Sequence, residues 1–273
     1  MKLGIVTIQK NRAQWIAEWV AFHYLVGFRK FYIYLHDCTD ESIKVVLNLS
    51  RTYNIQAATV PTDTFRPQLV AYQHAYDKYS HEVDWMAFID GDEFLFPTRC
   101  MDIRDALDFY RYKKISAIGA YWKTFGSSGH VNEPVGLITE NYRMCTGNDF
   151  PENSHIKSIV RGGQSINANV NAHIFSLPWG TFDELLRPVD KGWMKEYEPS
   201  YDSFRINHYV CQSLNYFKNV KKFSGAADAG RNLVRPDEAF VRATNASIYF
   251  DDSLEKYNRN LRMAVDALNT YSH

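Results

Sequence analysis

Two aspartates one residue apart, Asp90 and Asp92, end a continuous apolar run, Trp85-Met86-Ala87-Phe88-Ile89. Glu93 and a second apolar run, Phe94-Leu95-Phe96, follow at once. Carboxylates held beside a core cost free energy unless something compensates their charge. A divalent cation does so well, because hard cations take carboxylate oxygens and bridge to phosphates. Gly91 removes the side chain between the acids and lets the backbone turn sharply. Asp-Gly-Asp by itself is a common turn sequence. A hairpin turn, however, sits between alternating strands, whereas Trp85 to Ile89 has the unbroken apolarity of a strand covered on both faces. The stretch reads as a strand that delivers a metal–diphosphate site into a crevice.

Such a site needs a scaffold, and the flanking pattern supplies one. Leu3 to Ile8 reads as a strand. Between Ala13 and Val26, the residues Trp15, Trp19, Phe22 and Val26 recur at helical spacing, which predicts a largely buried helix stopped by Gly27. Lys30 to Leu35 is rich in β-favouring residues, and Thr39 to Tyr53 returns to helical spacing. A short strand near Ala57 to Val60 and a helix from Pro67 to Tyr79 complete the series. Strands alternating with helices predict an α/β domain, a parallel sheet with helices on both faces. Ligands of such sheets bind outside the carboxyl ends of the strands. Three loops converge there: Gln9 to Arg12, His36 to Asp40, and Asp90 to Glu93. The glycine fingerprint of dinucleotide folds is absent.

Asp102 reads as the cap of a helix running to Lys114. Beyond it the texture turns to strands, predicted at Ile115 to Trp122, Gly136 to Tyr142, Lys157 to Val160 and Val170 to Phe175. Leu177 to Ser203 mixes Pro, Gly, acids and Trp and reads as a long functional loop. Leu214 to Lys222 reads as a short basic helix ending near Gly225. Asp252 to Leu268 reads as a helix, with Asp252 and Glu255 at capping-box spacing.

Composition narrows the classes. At 273 residues, with 45% hydrophobic and 23% charged content, the chain can bury a full core as one large domain with a C-terminal extension. Aromatics reach 15%, which suits either ring-stacking surfaces or a Tyr-rich core. Zero formal charge offers no field for nucleic acid, and no apolar run is long enough to span a membrane. Cys38, Cys100, Cys145 and Cys211 form no CxxC pair and read as reduced thiols. The opening strand is too short for a signal peptide. These features together predict a cytoplasmic chain.

Several stretches resemble GT-A type glycosyltransferases, and more narrowly the family 2-like and family 92 group. They are Lys10-Asn11-Arg12 with Glu18-Trp19-Val20 and His23; Gln68 with Ala71-Tyr72; and Trp85 through Phe96. Phe125-Gly126-Ser127-Ser128-Gly129-His130, Lys157-Ser158-Ile159-Val160, His173, and His208-Tyr209 with Lys218 and Lys221 continue the series to about residue 225. The resemblance implies a Rossmann-like nucleotide-binding fold with a single, mostly parallel central sheet flanked by helices. It places a GT-A domain at residues 1–230, a nucleotide-sugar half at 1–100 and an acceptor half at 101–230, with a helical extension at 231–273. Members often carry Asn-Glu where this chain has Asn11-Arg12. Animal and plant forms also have a membrane anchor, so the expectation is a bacterial-style enzyme of surface polysaccharide or lipopolysaccharide synthesis at the inner face of the membrane.

The implied reaction moves a sugar from a nucleotide-sugar, expected to be a UDP-sugar, to a hydroxyl of a glycan or glycolipid, with Mn²⁺ or Mg²⁺ on the diphosphate. A bound cation stabilises the charge left on the departing diphosphate. Asp92 is the expected direct ligand, Asp90 contacts the ribose or the ion, and His173 is the expected third ligand, with His208 the alternative. Lys157, Lys218 and Lys221 are candidates for the diphosphate, and Asn11, Arg12 and Asp37 or Asp40 for the base and ribose. An inverting reaction, the expected course, needs a carboxylate to take the acceptor proton. Asp149 is favoured for this over Glu133, Glu140 and Glu152. A nucleotidyltransferase would use the same metal–diphosphate chemistry but wants a glycine-rich phosphate loop, and a non-catalytic nucleotide-sugar binder would tolerate loss of the acids.

Overall fold

The computed structural model describes residues 1–168, 171–224 and 234–270. The first half alternates as predicted: β1 (Leu3–Gln9), α1 (Ile16–Leu25), β2 (Lys30–His36), α2 (Ser42–Leu49), β3 (Ile55–Val60), α3 (Pro67–Tyr79) and β4 (Trp85–Phe88). The second half runs β5 (Glu93–Pro97), α4 (Ile103–Asp108), β6 (Ala117–Thr124), α5 (Ile138–Asn141), β7 (Met144–Cys145) and β8 (Ile156–Arg161). It continues through β9 (Thr181–Asp183), β10 (Pro188–Val189), β11 (Phe204–His208), α6 (Leu214–Asn219), α7 (Asp237–Ala246), β12 (Tyr249–Phe250) and α8 (Glu255–Thr270).

One central sheet carries the order β10-β9-β6-β8-β4-β1-β2-β3. Strands β3, β2, β1 and β4 are mutually parallel, with Val6 opposite Phe88 and Gln9 opposite Leu35. β8 runs antiparallel between β4 and β6. The unbroken apolarity of the parallel strands has a direct cause in packing. Leu3, Ile5, Phe31, Ile33, Trp85 and Ala87 face the layer of α1, while Val6, Tyr32, Met86 and Phe88 face α3, so both faces are covered. On the α1 side, Phe22 meets Tyr257 of α8 edge-on at 5.5 Å, and Leu261 joins the same core.

The chain leaves β4 through Asp90-Gly91-Asp92 and does not fold back on itself. β5 instead pairs antiparallel with β11, Glu93 opposite His208, and β11 pairs in turn with β6, His208 opposite Thr124. The turn therefore stands where the sheet divides, and β11 returns His208 beside it.

Four expectations need correction. Gly136 to Tyr142 is not a strand: Gly136 has φ +104° and α5 follows. The buried Glu18 carboxylate of α1 takes the free N–H groups of Ile138 and Thr139 at 2.7 and 3.0 Å, which fixes a helical turn there. The strand predicted from Val170, or from Asn169, begins on residues outside those described. Its described part is a turn, because Asn171 Oδ1 accepts the N–H groups of His173 and Ile174 at 2.8 and 2.9 Å. The loop predicted at Leu177 to Ser203 contains β9 and β10, which extend the sheet. The helix capped by Asp102 ends at Asp108, well before Lys114. The helix end predicted near Gly225 and the boundary at residue 230 lie outside the described residues.

Candidate active site

A cleft of about 570 Å³ opens at the carboxyl ends of β1 and β4, lined by Lys10, Arg12, Asp90, Asp92, His173 and His208 among others. Its position is the one that open α/β sheets give their ligands. The Asp90–Asp92 turn forms its floor and is held from several directions. The Trp19 indole N–H of α1 reaches the carbonyls of Asp90 and Glu93 at 3.1 and 2.9 Å. The buried Arg12 guanidinium donates to the Gly91 carbonyl at 2.9 Å and to the Tyr216 hydroxyl of α6 at 2.8 Å, and lies 4.6 Å over the Trp15 ring. A planar fork can serve two acceptors at once, so Arg12 ties the turn to α6. Gly91 is needed for space, since a Cβ there would stand 3.0 Å from the Gln9 side-chain amide carbon.

The two aspartates have different surroundings. Asp90 accepts from Gln68 at 2.6 Å and Tyr72 at 3.1 Å, both from one face of α3, and pairs with Lys157 at 2.9 Å. Burial pushes its carboxyl up, but the Lys157 ammonium outweighs this and holds it below the usual range. Lys157 is fully buried in β8 and also stands 3.9 Å from Glu93. Burial works against its charge, and the two carboxyls reverse this and raise its pKa. Burial drives Glu93 well above the ordinary carboxyl value, against the pull of Lys157; its other oxygen accepts the Asp90 N–H at 2.9 Å.

Asp92 faces the cleft. Its carboxylate pairs with the Lys221 ammonium, and His208 Nε2 lies 3.8 Å from the same oxygen. Burial raises its pKa, but the groups around it, Lys221 foremost with His208 and Arg12, together hold it far below the usual range. Burial lowers His208 to about 3, against the pull of Asp92, so its imidazole is neutral at pH 7 and can offer a lone pair. Burial likewise takes His173 to about 3, and its Nδ1 sits 2.8 Å from the Ile156 carbonyl. Trp122 walls the cleft, its ring 4.1 Å from His208 and stacked on His155 at 4.7 Å. Among the described residues, no three His, Cys, Asp or Glu side chains gather as a ready-made metal cage.

The predicted residues thus separate. Arg12, Asp90, Asp92, His173, His208 and Lys221 line the cleft, and Lys157 lies beneath it on Asp90. Asn11, at φ +52°, accepts the N–H groups of Thr39 and Asp40 and so pins two loops together. Asp37 pairs with Lys10 at 2.5 Å, and Lys10 itself reaches the cleft. Asp149 and Lys218 are exposed and do not line the cleft. Glu140 and Glu152 are paired with Arg262 and Arg242, and Glu133 accepts from the Tyr142 hydroxyl at 3.0 Å. Gln9 and Lys10 lie in a converging loop of the sequence with no role of their own assigned there, and Trp122 and Tyr216 carry no local signal.

Comparison with known proteins bears on the family. The model of "Glycosyltransferase family 92" matches residues 5–223. A glycosyltransferase family 92 protein of Oryza sativa subsp. japonica is 29% identical over 225 residues, covering 81% of this chain and 35% of the relative. One from Arabidopsis thaliana is 26% identical over 229 residues, covering 80% and 36%. The chain thus spans about a third of the length of the curated relatives it matches. Among solved structures, S. aureus TarS 1-349 in complex with UDP overlaps at TM-score 0.37 and 18% identity, over 59% of this chain and 47% of that one. The α/β architecture expected of a GT-A fold, one central sheet with helices on both faces, is present in the chain itself. On the match over residues 5–223, the chain belongs to glycosyltransferase family 92.

Proposed function

We propose that this chain transfers a glycosyl group from a nucleotide-sugar, of the UDP class, to a hydroxyl of a glycan or glycolipid acceptor, with Mn²⁺ or Mg²⁺ as cofactor. The observation that carries this reading is Asp92, an ionised carboxylate facing the cleft at a strand end with Lys221 and a neutral His208 on the same oxygen.

The residues fit a cation. Mg²⁺ and its relatives are commonly held by one or two protein ligands, with phosphate oxygens and water completing the shell. Asp92 and His208 would be those ligands. Asp90 meets Gln68, Tyr72 and Lys157 through Oδ1, which fixes the turn and leaves its other oxygen for the ion or the ribose. His173 holds the Ile156 carbonyl through one nitrogen and presents the cleft wall. When bound, the cation supplies Lewis-acid stabilisation of the departing diphosphate. Lys221 and Lys10 add positive charge at the cleft, and Arg12 holds the floor in place. Trp122, packed on His208, gives the cleft an apolar ring wall suited to exclude water around a sugar. The plant origin of the relatives gives no support to the bacterial polysaccharide role expected above, and among the described residues no helix is long and apolar enough to cross a membrane.

The test is nucleotide release from a panel of UDP-, GDP- and CMP-sugars, with Mn²⁺, Mg²⁺ or EDTA. One donor should be hydrolysed slowly, and EDTA or Asp92→Asn should stop it. Turnover that survives Asp92→Asn overturns the reading.

A further inference from the structure

Each aspartate of the turn meets a lysine, and the two lysines are held differently. Lys157 is fully buried on a central strand, between Asp90 and Glu93. Lys221 opens a short turn, Lys221–Phe223, on the lip of the cleft after α6. Its side chain and that of Asp92 retain 13% and 10% exposure, while Phe223 and Ser224 beyond it are exposed. Lys221 therefore has somewhere to go, and Lys157 does not.

Resting on the reading of Asp92 as a cation ligand, we infer that Lys221 is a latch on the cation site. In the free protein its ammonium sits on Asp92 Oδ2, the oxygen that His208 Nε2 also faces and at which a divalent cation would meet both ligands. Two cations cannot share one carboxylate oxygen without strong repulsion at that distance. A free cation must therefore displace Lys221 into solvent, and it brings no second anion to hold the ammonium. A nucleoside diphosphate changes the balance, because its phosphates give the lysine a second anionic partner while bringing oxygens to the cation. Cation and nucleotide then bind together, and the cleft does not charge with metal alone. Lys157 cannot act this way, since leaving Asp90 would strand its charge in the core.

The experiment is Mn²⁺ binding to the full chain, read by loss of the free-ion EPR signal, with and without UDP. The unmodified protein should bind Mn²⁺ alone weakly, and at least about tenfold more tightly with saturating UDP, a shift of about 1.4 kcal/mol. Lys221→Met, which keeps the aliphatic stem, should bind Mn²⁺ alone about tenfold more tightly than the unmodified protein and UDP more weakly. Lys221→Gln gives the same comparison should the Met variant misfold. The latch is overturned if neither variant tightens Mn²⁺ binding while Asp92→Asn abolishes it, or if the unmodified protein binds Mn²⁺ equally well with and without UDP. Mn²⁺ binding unchanged by Asp92→Asn would instead sink the cation site itself, and the latch with it.

Discussion

Replacing Lys157 by Met removes a charge from the middle of the sheet and leaves its partners in place. Asp90 is 2.9 Å from the lysine and Glu93 is 3.9 Å away, and the Lys157 and Glu93 side chains are wholly buried. Removing one partner of a fully buried ion pair costs about 3–5 kcal/mol; Asp90 keeps 32% exposure, so the loss should fall toward the low end of that range. Against a total stability of about 5–15 kcal/mol, that is a large fraction. The loss should depend on pH, and its sign follows from Asp90. In the intact protein Asp90 is held below its ordinary pKa against the effect of burial. Its pairing therefore stabilises the fold above the unfolded carboxyl value of about 3.9, and that stabilisation is lost as pH falls through the folded value. In the variant the Gln68 and Tyr72 hydrogen bonds remain, but without the ammonium burial raises the carboxyl. The variant then loses stability as pH rises through the raised value. The two proteins should differ most at pH 7 and converge toward pH 5. Urea denaturation at both values measures the difference, with Asp90→Asn added to the variant as a control that should restore about 1–2 kcal/mol. A loss below about 1 kcal/mol at pH 7, the same at pH 5, would refute the reasoning.

Gly91→Ala places a Cβ 3.0 Å from the Gln9 amide carbon; donor turnover should fall about tenfold with little change in Tm, and Gln9→Ala should recover part of it. Arg12→Lys cannot span the Gly91 carbonyl and the Tyr216 hydroxyl together. Donor KM should rise severalfold, with a Tm drop of about 2–4 °C for each kcal/mol lost; an unchanged KM would remove Arg12 from any positioning role. Glu18 is raised to about 7 by burial, against the hydrogen bonds from Thr139 and Ile138. Its contribution is complete below the unfolded value and is lost as pH rises through about 7. Tm of the unmodified protein should therefore decline from pH 5 to 8, and Glu18→Gln should flatten that slope; parallel slopes in thermal melts would show Glu18 ionised throughout.

The parallel half of the fold was legible because its signals are local. Trp15, Trp19 and Phe22 repeat at helical spacing, and each parallel strand is apolar on both faces because a helix layer covers each. The second half was less legible because its shape is set by distant partners. Gly136 to Tyr142 has the composition of a strand, yet Glu18, more than a hundred residues earlier, fixes a helical turn there. The strand-like run before Phe175 is broken by a single Asn171 side chain taking two backbone N–H groups. The same division holds in the site. Asp90, Gly91 and Asp92 announce themselves by spacing, whereas Trp122 and Tyr216 reach the cleft only because β6 and α6 pack around it.

The spacing of the acids nonetheless conceals their inequality, which only the packing reveals. Both sit next to Gly91 and line the cleft, but one carboxylate is held by Gln68 of α3 and Lys157 of β8 and the other stands beside His208 of β11 and Lys221. The first is met on Oδ1 by Gln68, Tyr72 and a buried lysine, which tie that oxygen to α3 and β8. The second is met by groups that can give way: a neutral imidazole and a lysine on a surface turn. Under the proposed cation-dependent transfer, Asp90 would hold the floor while Asp92 exchanged its lysine for the ion, because positioning and exchange place opposite demands on one carboxylate.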